Sequence, residues 1–475
     1  MYRFWKSLIG HRNFNLDEMK FKQLTALLIL LLILPLCLNC GLTAKAVTTQ
    51  TSPSLYVGVD VAFESIATTE QLIDNISSYT NFFVIGCYGG YNETRLTIIS
   101  QYVYDKGLTF IVYTDDPRYP SKQWLTDAQN NYGNHFLGIY FYDEPGGKQL
   151  DQSTPYPVVP ETAVTEAANY SFSDAANQYV STLNGWLRSG PFAITKNFPS
   201  SSKYQLFTSD YTLYWYDYEA GYDTVFAEFA LSYNRTLNID LCRGAATVQN
   251  KDWGIMITNA YTQPPYMESG PNLYNDMLLA YENGAKYIIV FDSNPNFTQS
   301  VLQPGQLDAM KQFWQYAQTN PRTISPVSDR SAYVLPEDYA YGFRSPTQDT
   351  IWGLWTLPQN DSLLLDISMS ISTLFQMYGS NLDIVYPDGS RTIESVGYHN
   401  VIYWNDTRLI PNLPPIQSPS PIIRSSTSPT EQPTSTAGPQ QGASFPKVYF
   451  YAIATSILVA VAVATTVLEV RRRRR

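Results

Sequence analysis

The feature that most constrains this chain is an alternation of short apolar segments with longer amphipathic stretches between residues 55 and 320. Such alternation predicts a parallel sheet whose strands are joined by helical crossovers. Most of the apolar segments are continuous β-branched or aromatic runs, as strands buried on both faces require. Eight strands are predicted, at Leu55–Val61, Asn81–Cys87, Leu108–Tyr113, Phe136–Tyr142, Tyr204–Thr208, Thr224–Phe229, Gly254–Asn259 and Lys286–Phe291.

The size of this region and its repeated junctions predict a closed barrel. Tyr104-Asp105-Lys106-Gly107 and Tyr281-Glu282-Asn283-Gly284 each end a predicted helix with a glycine and precede an apolar strand. Roughly 265 residues for eight strand–helix units match the usual size of a (β/α)8 barrel. We therefore predict an α/β fold with a TIM-like barrel over residues 47–325.

The sequence after Pro321 has a different texture. Short apolar segments alternate with Pro, Gly, Asn and Asp, and Asp388-Gly389 has the composition of a hairpin turn. This pattern predicts a small antiparallel β-sandwich over residues 326–410. Its strands are predicted at Tyr333-Val334, Thr350–Leu357, Ser362–Ser370, Leu382–Tyr386 and Val401–Trp404.

The beginning of the chain predicts export. A short basic stretch at Met19–Lys22 precedes an apolar run at Leu24–Leu38, and Ala44-Lys45-Ala46 is a small-x-small cleavage pattern. We interpret residues 1–46 as a presequence with a signal peptide; a retained N-terminal anchor is the alternative.

The other end predicts a membrane anchor. Residues 411–446 are rich in Pro, Ser, Thr and Gln and are interpreted as an extended stalk, with a disordered linker without further role as the alternative. Residues 447–470 are apolar over the length that a bilayer requires, and the five arginines at 471–475 are expected to stay in the cytoplasm. We therefore expect a single-pass protein of the cell membrane, in contact with the lipid bilayer, whose ectodomain is extracellular and whose C-terminus is cytoplasmic.

Composition agrees with an outward-facing ectodomain. The formal charge is −10, so a nucleic-acid partner is not expected. The chain has 37 tyrosines, and such aromatic surfaces stack well on sugars. Two cysteines, Cys87 and Cys242, remain after the signal and are expected as buried thiols, with one disulfide as the alternative. Candidate glycan acceptors in Asn-x-Ser/Thr sequons are Asn75, Asn92, Asn169, Asn234, Asn296, Asn360 and Asn405.

In a barrel of this type, chemistry belongs to side chains at the carboxyl ends of the strands. These ends are rich in acids and aromatics, and they include Glu64, Asp115, Asp116 and Trp215. Glu144, Asp143 and Glu228 are the predicted catalytic residues. The predicted substrate-binding residues are Asp60, Tyr88, Tyr113, Tyr142, Asp210, Asn259, Tyr261 and Asp292.

The sharpest motif runs from Gly138 to Pro145, where an apolar strand ends directly in Asp143-Glu144. A carboxyl pair can supply the acid and the nucleophile or base of glycoside hydrolysis. The motif resembles (β/α)8-barrel glycoside hydrolases and, more narrowly, the Asp-Glu pair of N-acetylhexosaminidases that use substrate assistance. That resemblance implies that Asp143 orients the acetamide and that Glu144 is the acid/base. The Tyr-Asp-Glu-Pro-Gly-Gly run is also similar to uncharacterised archaeal membrane-anchored surface proteins.

Several alternatives stay open at this point. No Glu ends the seventh strand, so either Glu228 or substrate assistance must replace the usual nucleophile. Glu228 could instead form a buried ion pair with Arg243, and Asp143-Glu144 could be an acidic pair at a helix N-terminus or part of a solvated loop.

Other chemistries are less well supported by the sequence. Neither a cofactor nor a metal site is predicted, although Asp115-Asp116 is a weak candidate for Ca²⁺. The main rival to a hydrolase acting on carbohydrate is a non-catalytic surface protein that binds glycans or neighbouring surface-layer proteins.

Overall fold

The computed structural model describes residues 54–62, 65–86, 92–152, 157–160, 171–341, 350–356, 362–387, 389 and 392–406. All of them belong to the first of two compact units, whose boundary lies at Leu413.

Eight parallel strands close into a barrel in which each strand pairs with the next and β8 pairs with β1. This confirms the predicted barrel. The strands are β1 Tyr56–Val61, β2 Phe82–Ile85, β3 Thr109–Thr114, β4 Phe136–Phe141, β5 Gln205–Asp210, β6 Thr224–Phe229, β7 Asp252–Ile257 and β8 Tyr287–Phe291.

Helices cover the outside of the barrel. They are α1 Ile66–Ile76, α2 Glu93–Asp105, α3 Lys122–Tyr132, α4 Pro145–Asp151, α5 Phe172–Asn184, α6 Tyr214–Ala220, α7 Arg235–Gln249, α8 Gly270–Glu282 and α9 Pro304–Thr319. Ser or Asn side chains cap the start of many of them, as Ser65 does for α1 and Asn234 for α7. Gly107 and Gly284 follow α2 and α8 with φ of 75° and 92°, so both predicted helix-stop glycines adopt the left-handed backbone.

The barrel interior is filled by aromatic side chains and is not a pore. Tyr56 stacks on Tyr287 with ring centroids 4.8 Å apart, and Phe82 meets both rings edge-on. Phe207 and Phe226 lie in the same buried cluster. Because side chains alternate along a strand, the residues two positions after these inward-facing ones also point inward, nearer the carboxyl ends.

The region after the barrel differs from the predicted antiparallel sandwich. Its main sheet is parallel and three-stranded, in the order β12-β9-β13. The elements are β9 Ser331–Val334, the two-stranded antiparallel β10 Thr350–Ile351 and β11 Trp355–Thr356, α10 Ser362–Tyr378, β12 Leu382–Val385 and β13 Asn400–Tyr403. Since β12 and β13 pair with opposite sides of β9, the segment around Gly389 does not join hairpin partners.

The segment predicted as a strand at Ser362–Ser370 is the first half of α10. Its buried residues Leu364, Ile367, Ile371 and Leu374 recur every three or four positions, which is the helical period. Serines alternate with apolar residues in Ile367–Ser372, and this local alternation mimics a strand. A window of nine residues was too short to separate the two periods.

The small sheet packs against the barrel helix α7. Arg243 donates to Asp383 of β12 at 2.7 Å and to the Leu382 carbonyl at 2.7 Å. The buried ion pair expected as an alternative between Arg243 and Glu228 is therefore wrong, because Arg243 faces outward from the barrel toward the small sheet.

Some predictions fall on residues outside the described ranges. These are the signal peptide, the stalk, the transmembrane helix and basic tail, and the residues Glu64, Cys87 and Tyr88. Within the described part of the chain, no helix combines the length and apolarity needed to cross a membrane. Cys242 is a buried free thiol, as expected.

Candidate active site

Strand alternation brings four carboxyl side chains to the mouth of the barrel. Asp60 lies two residues after the inward position of Gly58 in β1, and Glu228 lies two residues after Phe226 in β6. Asp143 and Glu144 follow β4 directly. These four side chains interact electrostatically. Beyond the effect of burial, Asp143 raises the pKa of Asp60, and Glu144 and Asp143 both raise the pKa of Glu228.

The turn from β4 into α4 holds its acid pair in a strained backbone. Tyr142 and Glu144 have φ of 56° and 53°, which non-glycine residues rarely adopt. Each such residue costs on the order of 1–2 kcal/mol, and strain of this kind concentrates at functional sites. Although Glu144 is the residue that precedes α4, its side chain makes no capping hydrogen bond. Asp143-Glu144 therefore does precede a helix, as the alternative has it, but the Glu144 side chain does not cap that helix.

The side chain that caps α4 is Asp210, at the end of β5, and not Glu144. Its carboxylate accepts hydrogen bonds from the backbone N–H groups of Gly146 at 2.5 Å and Gly147 at 2.9 Å, and from those of Tyr211 and Thr212. A β-carbon on Gly146 would lie 2.6 Å from Asp210 Oδ2, and one on Gly147 would lie 1.9 Å from the Tyr211 ring. The Gly-Gly pair of the motif is therefore required for close approach of β5 to the turn that carries Glu144.

A chain of hydroxyl groups links Asp143 to Glu228. The Tyr140 hydroxyl contacts Asp143 Oδ1 and, at 2.7 Å, Ser209 Oγ. Ser209 Oγ lies 2.8 Å from Asp143 Oδ1 and 2.6 Å from Glu228 Oε1. Each hydroxyl has one proton to donate. If Tyr140 and Ser209 both donate to Asp143, the contact between Ser209 and Glu228 requires a proton on Glu228.

The electrostatics of the carboxyl cluster agree with that proton count. Burial raises the pKa of Glu228 well above its usual range, and the neighbouring Glu144 and Asp143 raise it further. Loss of hydration, reinforced by Asp143, raises the pKa of Glu144 to about 7, and the two glutamates are in hydrogen-bond contact. Burial, together with Asp143, also raises the pKa of Asp60. Near pH 7 this cluster retains protons that isolated carboxyls would release.

Accessibility divides the cluster into two layers. The side chains of Asp143 and Glu144 are 35% and 31% exposed, whereas Glu228 is 3% exposed. Lys148 Nζ lies 3.8 Å from Asp143 Oδ2 and 3.7 Å from Glu144 Oε2. A molecule that enters the barrel mouth therefore meets Asp143 and Glu144 before it can reach Glu228.

Aromatic and amide groups surround the acids. Tyr113 lies edge-on to Tyr140 at 5.1 Å, and burial followed by Asp143 raises its pKa. The Tyr142 ring packs on Trp186 at 5.2 Å and under the Lys148 ammonium at 5.5 Å. Asn259 Oδ1 is buried with no hydrogen-bond partner within the described ranges.

An open cleft adjoins the mouth between the loops that follow β6 and β7. It has a volume of about 650 Å³ and is lined by Leu231, Ser232 and residues 260–265. Tyr261 is 44% exposed in this cleft, and Leu231 is 39% exposed. The backbone N–H groups of Ala260 and Tyr261 both donate to the Tyr266 carbonyl, which fixes the loop that presents the Tyr261 ring.

Two of the residues predicted to bind substrate have other roles. Asp210 caps α4, as described above. Asp292 Oδ1 accepts hydrogen bonds from Ser300 Oγ at 2.9 Å and from the backbone N–H groups of Val301 and Leu302 at 2.7 and 2.9 Å. Asp292 Oδ1 therefore fixes the loop between β8 and α9, while Oδ2 is buried with no hydrogen-bond partner among the described residues.

Sequence reasoning missed the residues that organise the acids: Ser209, Tyr140 and Lys148. β5 was predicted to end at Thr208, so Ser209 was placed in a loop, whereas the strand continues to Asp210. Alternation from the inward-facing Phe207 would have identified Ser209 as a residue of the barrel mouth. Lys148 follows Glu144 by four positions, which is one helical turn.

No metal site is evident within the described ranges. Across those ranges, no group of three or more His, Cys, Asp or Glu side chains has an arrangement that would hold a metal ion. Asp116, half of the weak Ca²⁺ candidate, is instead paired with Arg118 at 2.6 Å.

Comparison with known proteins gives structural likeness only. No protein-family model and no curated protein matches the sequence. The solved structures that it resembles include α-L-fucosidase isoenzyme 2 from Paenibacillus thiaminolyticus, with a TM-score of 0.41 and 10% identity over 70% of this chain and 58% of the fucosidase. This chain thus spans little more than half of the fucosidase.

Two further neighbours are glycan-directed enzymes. The endo-1,4-β-mannanase from Eisenia fetida has a TM-score of 0.34 and 11% identity over 54% of this chain and 90% of the mannanase. An endo-β-1,3-glucanase from Sorangium cellulosum has a TM-score of 0.31 and 10% identity over 55% and 97% of the respective chains. A 3-hexulose-6-phosphate synthase matches at a similar level, with a TM-score of 0.30 and 8% identity over 55% of this chain and 99% of the synthase.

Proposed function

We propose that this protein is an extracellular, membrane-anchored glycoside hydrolase whose acid/base is Glu144. The observation that carries the proposal is the pairing of Glu144, with its pKa raised to about 7, with a second carboxyl group, Asp143, at an accessible barrel mouth. A general acid works best when its pKa lies near the working pH. Glu144 therefore has the proton, the exposure and the position at a strand end that protonation of a glycosidic oxygen requires.

The same geometry favours substrate assistance over a protein nucleophile. Retaining glycosidases keep their two carboxyls about 5–5.5 Å apart, leaving room for the sugar carbon between them. Glu144 and Glu228 are instead in hydrogen-bond contact, and burial, reinforced by Glu144 and Asp143, raises the pKa of Glu228 well above its usual range. A neutral, buried carboxyl is a poor nucleophile, so we assign Glu228 to support of Glu144 and not to attack on the sugar.

Asp143 is suited to orienting the acetamide of an N-acetylated sugar. The Tyr140 and Ser209 hydroxyls hold its Oδ1, and its side chain is 35% exposed toward the mouth. An oriented acetamide oxygen can attack the anomeric carbon while Glu144 protonates the leaving oxygen. We therefore propose glycans that contain N-acetylhexosamine as the substrate class.

The cleft beside the mouth would bind the rest of the glycan. The exposed Tyr261 ring is held by a fixed loop, and a flat aromatic face of this kind packs against the apolar face of a pyranose. We assign Tyr261 to a subsite beyond the cleaved bond.

We further propose that residues 447–470 anchor the protein and that its ectodomain is glycosylated. All five described sequon asparagines are exposed: Asn75, Asn92, Asn234, Asn296 and Asn405. Exposure is the condition that a glycan acceptor must meet, and the distribution of these sites over the barrel and the small sheet suits an outward-facing protein.

The test is hydrolysis of paired 4-nitrophenyl glycosides by the full-length chain in mild detergent, using the N-acetyl-β-glucosaminide and the β-glucoside. We expect turnover of the N-acetylated substrate, a loss of about 10²–10⁴-fold in Glu144→Gln, and a comparable loss in Asp143→Asn. Asp127→Asn, on the exposed face of α3, is the matched control and should keep full activity.

The alternatives give different results. Equal turnover of both substrates, with azide restoring a Glu228→Ala variant, would make Glu228 the nucleophile and reject substrate assistance. Absence of turnover on a wider panel of glycosides, combined with binding of oligosaccharides, would replace the hydrolase by a non-catalytic glycan-binding surface protein.

A further inference from the structure

The helix that follows Glu144 depends on contacts with the rest of the protein. α4 has only seven residues, whereas isolated helices shorter than about 12–15 residues are marginal in water. Asp210 holds its first turn by accepting hydrogen bonds from two backbone N–H groups. The direction of α4, and with it the position of Glu144, therefore also depends on what holds the last turn.

Gln149 joins the last turn of α4 to two distant segments. It is only 1% exposed, and its Oε1 accepts a hydrogen bond from the Val159 backbone N–H at 2.7 Å. Its Nε2 donates to the Trp352 carbonyl at 3.0 Å and to the Val159 carbonyl at 3.4 Å. Both N–H donors and the oxygen of this amide are thus in use. One buried side chain therefore holds α4 to the segment that follows it and to the hairpin of β10 and β11.

The tip of that hairpin fits closely against the helix. It contains Trp352 and Gly353, whose φ angles of 50° and 78° are both in the left-handed region. A β-carbon on Gly353 would lie 2.4 Å from the Gln149 carbonyl oxygen and 2.8 Å from that of Leu150. Because only glycine lacks this atom, the backbone of the hairpin packs directly on the backbone of α4.

The Trp352 ring anchors the hairpin to the barrel. The residue is 1% exposed, and its ring centroid lies 4.4 Å from that of Tyr216 in α6 and 5.6 Å from that of Tyr179 in α5. Its indole Nε1 donates to the Asp338 carbonyl at 3.1 Å. A buried indole whose N–H is paired contributes a large apolar contact without an unsatisfied donor. The hairpin is thereby fixed to two barrel helices and supports a third.

We propose that the β10–β11 hairpin is a structural part of the active site, because its tip positions Glu144 through Gln149 and α4. Trp352 and Gly353 are then positioning residues, which act through Glu144 and not on the substrate. Their effect on catalysis rests on the proposed role of Glu144 as the acid/base, whereas their contacts with α4 do not. The small-sheet region is accordingly required for the reaction, although the carboxyl cluster lies on the barrel.

The position of Glu144 matters for two reasons. Glu144 is in hydrogen-bond contact with Glu228, and loss of hydration is the largest cause of its raised pKa. If α4 moved outward, water would reach Glu144 and its pKa would fall toward the ordinary value. A displacement of about 1 Å can also cost about 10²-fold in rate. Loss of the support should therefore lower the rate and change the protonation of Glu144 together.

The experiment compares Gly353→Ala with Gly397→Ala in the full-length chain. Gly397 also lies in the small-sheet region and has φ of 93°, but nothing is within 4 Å of its built β-carbon. Alanine is strained at both positions, and only at Gly353 does it also collide with α4. On the N-acetyl-β-glucosaminide we expect kcat to fall about tenfold to hundredfold in Gly353→Ala, with little change in KM. The alkaline limb of its kcat profile should move to lower pH, and Gly397→Ala should keep the wild-type values.

A second pair of variants tests the hydrogen bonds. Gln149→Met keeps the length of the side chain but leaves the Val159 and Trp352 backbone groups without their partner. Asn81→Leu is the matched control, because Asn81 also accepts from one backbone N–H, at 2.8 Å, and donates to one carbonyl, at 2.9 Å, at the opposite end of the barrel. Both variants should lose stability. Only Gln149→Met should show the lower kcat and the shifted limb, and it carries the test if Gly353→Ala does not fold.

Amide hydrogen exchange separates this proposal from the proposed function, since it needs no substrate. We expect faster exchange across Pro145–Asp151 in Gly353→Ala and Gln149→Met than in the wild type and the two controls. If the wild type hydrolyses no glycoside, faster exchange there still supports the contact with the hairpin, and only the hydrolase is rejected. If exchange in α4 is unchanged, or if an active Gly353→Ala has the kcat and pH profile of Gly397→Ala, the hairpin does not position Glu144 and the proposal is overturned.

Discussion

At the scale of single residues, the barrel mouth separates two glutamates whose pKa values are both raised. Glu144 is accessible and Glu228 is not, although they touch. Burial and neighbouring negative charge raise both pKa values, and Ser209 and Tyr140 connect Glu228 to Asp143. The arrangement of the carboxyls therefore depends on hydroxyl groups that the motif alone does not indicate.

The pH dependence of activity follows from this arrangement. Glu144 must carry a proton to act as an acid, so kcat/KM should fall as the pH rises through about 7. Asp143 is the second cause of the raised pKa of Glu144, after loss of hydration. We expect Asp143→Asn to move this alkaline limb to lower pH, because removal of a neighbouring negative charge makes Glu144 easier to ionise.

The measurement is the kcat/KM profile between pH 5 and 9 for both proteins, using the residual activity of the variant. Asp127→Asn serves as the control and should retain the wild-type limb. If the alkaline limb of the profile lies at the same pH in Asp143→Asn as in the wild type, Asp143 does not set the protonation of Glu144.

The sequence alone placed Asp143, Glu144 and Glu228 at the barrel mouth, because each lies at or near the end of a recognisable apolar strand. It could not assign Asp210, since a carboxylate at a strand end looks the same whether it binds substrate or caps a helix. That distinction depends on the contact between β5 and α4, which joins residues 64 positions apart. Ser209 was missed for a local reason, the two-residue error in the end of β5.

At the scale of elements, α4 depends on the absence of side chains at its first turn. Gly147→Ala would place a β-carbon 1.9 Å from the Tyr211 ring, so that ring or the helix must shift. We expect a loss of about 1–3 kcal/mol in the free energy of unfolding, as for other overpacked sites. Glycosidase activity should fall as well, because Glu144 begins the same turn.

Urea unfolding of Gly147→Ala beside Gly185→Ala tests this prediction. Gly185 has φ of −58° and nothing within 4 Å of its built β-carbon, so alanine there should be neutral or slightly stabilising. Equal stability of the two variants would contradict the close approach of β5 to α4.

Helices and strands were predicted correctly where the sequence followed a single hydrophobic period. The prediction failed where a strand-like and a helical period overlapped. The eight barrel strands were located within two residues at each end, because buried parallel strands are continuous apolar runs bounded by glycine and polar turns. Around Ser362–Ser370, apolar and polar residues alternate locally as in a strand. Over the full length of α10, however, the buried residues recur with the helical period. The parallel order of β12, β9 and β13 was not predictable, since it follows from how α10 crosses over the sheet.

At the scale of the whole molecule, buried acids should make the protein less stable as the pH rises. Burial raises the pKa of Asp60, Asp217, Asp240, Glu144 and Glu228. The folded chain therefore keeps protons that the unfolded chain releases above about pH 4. The stabilisation is complete below that pH and is lost progressively toward pH 7 and above. Carboxyls with lowered pKa values act oppositely but lie mainly in screened surface pairs, at Asp74, Asp116, Asp174 and Glu394.

Asp217→Asn provides the sharpest check of this pH effect. Asp217 accepts a hydrogen bond from Tyr179 at 2.5 Å and is in contact with Asp210, so an amide reproduces its protonated form. Urea unfolding between pH 4.5 and 8 should give a shallower decline for Asp217→Asn than for the wild type. Asp127→Asn should keep the wild-type slope. Identical slopes in all three proteins would show that Asp217 ionises as freely in the folded chain as in the unfolded one.

The pairing of β1 with β8 also dictates when the barrel can form during synthesis. Tyr56 cannot meet Tyr287 until almost the whole barrel sequence has left the ribosome, because the two partners lie at its opposite ends. Until then β1 and the last completed strand are unpaired edges that invite association with other chains. A nascent chain of this kind cannot close its barrel until translation of this region is nearly complete.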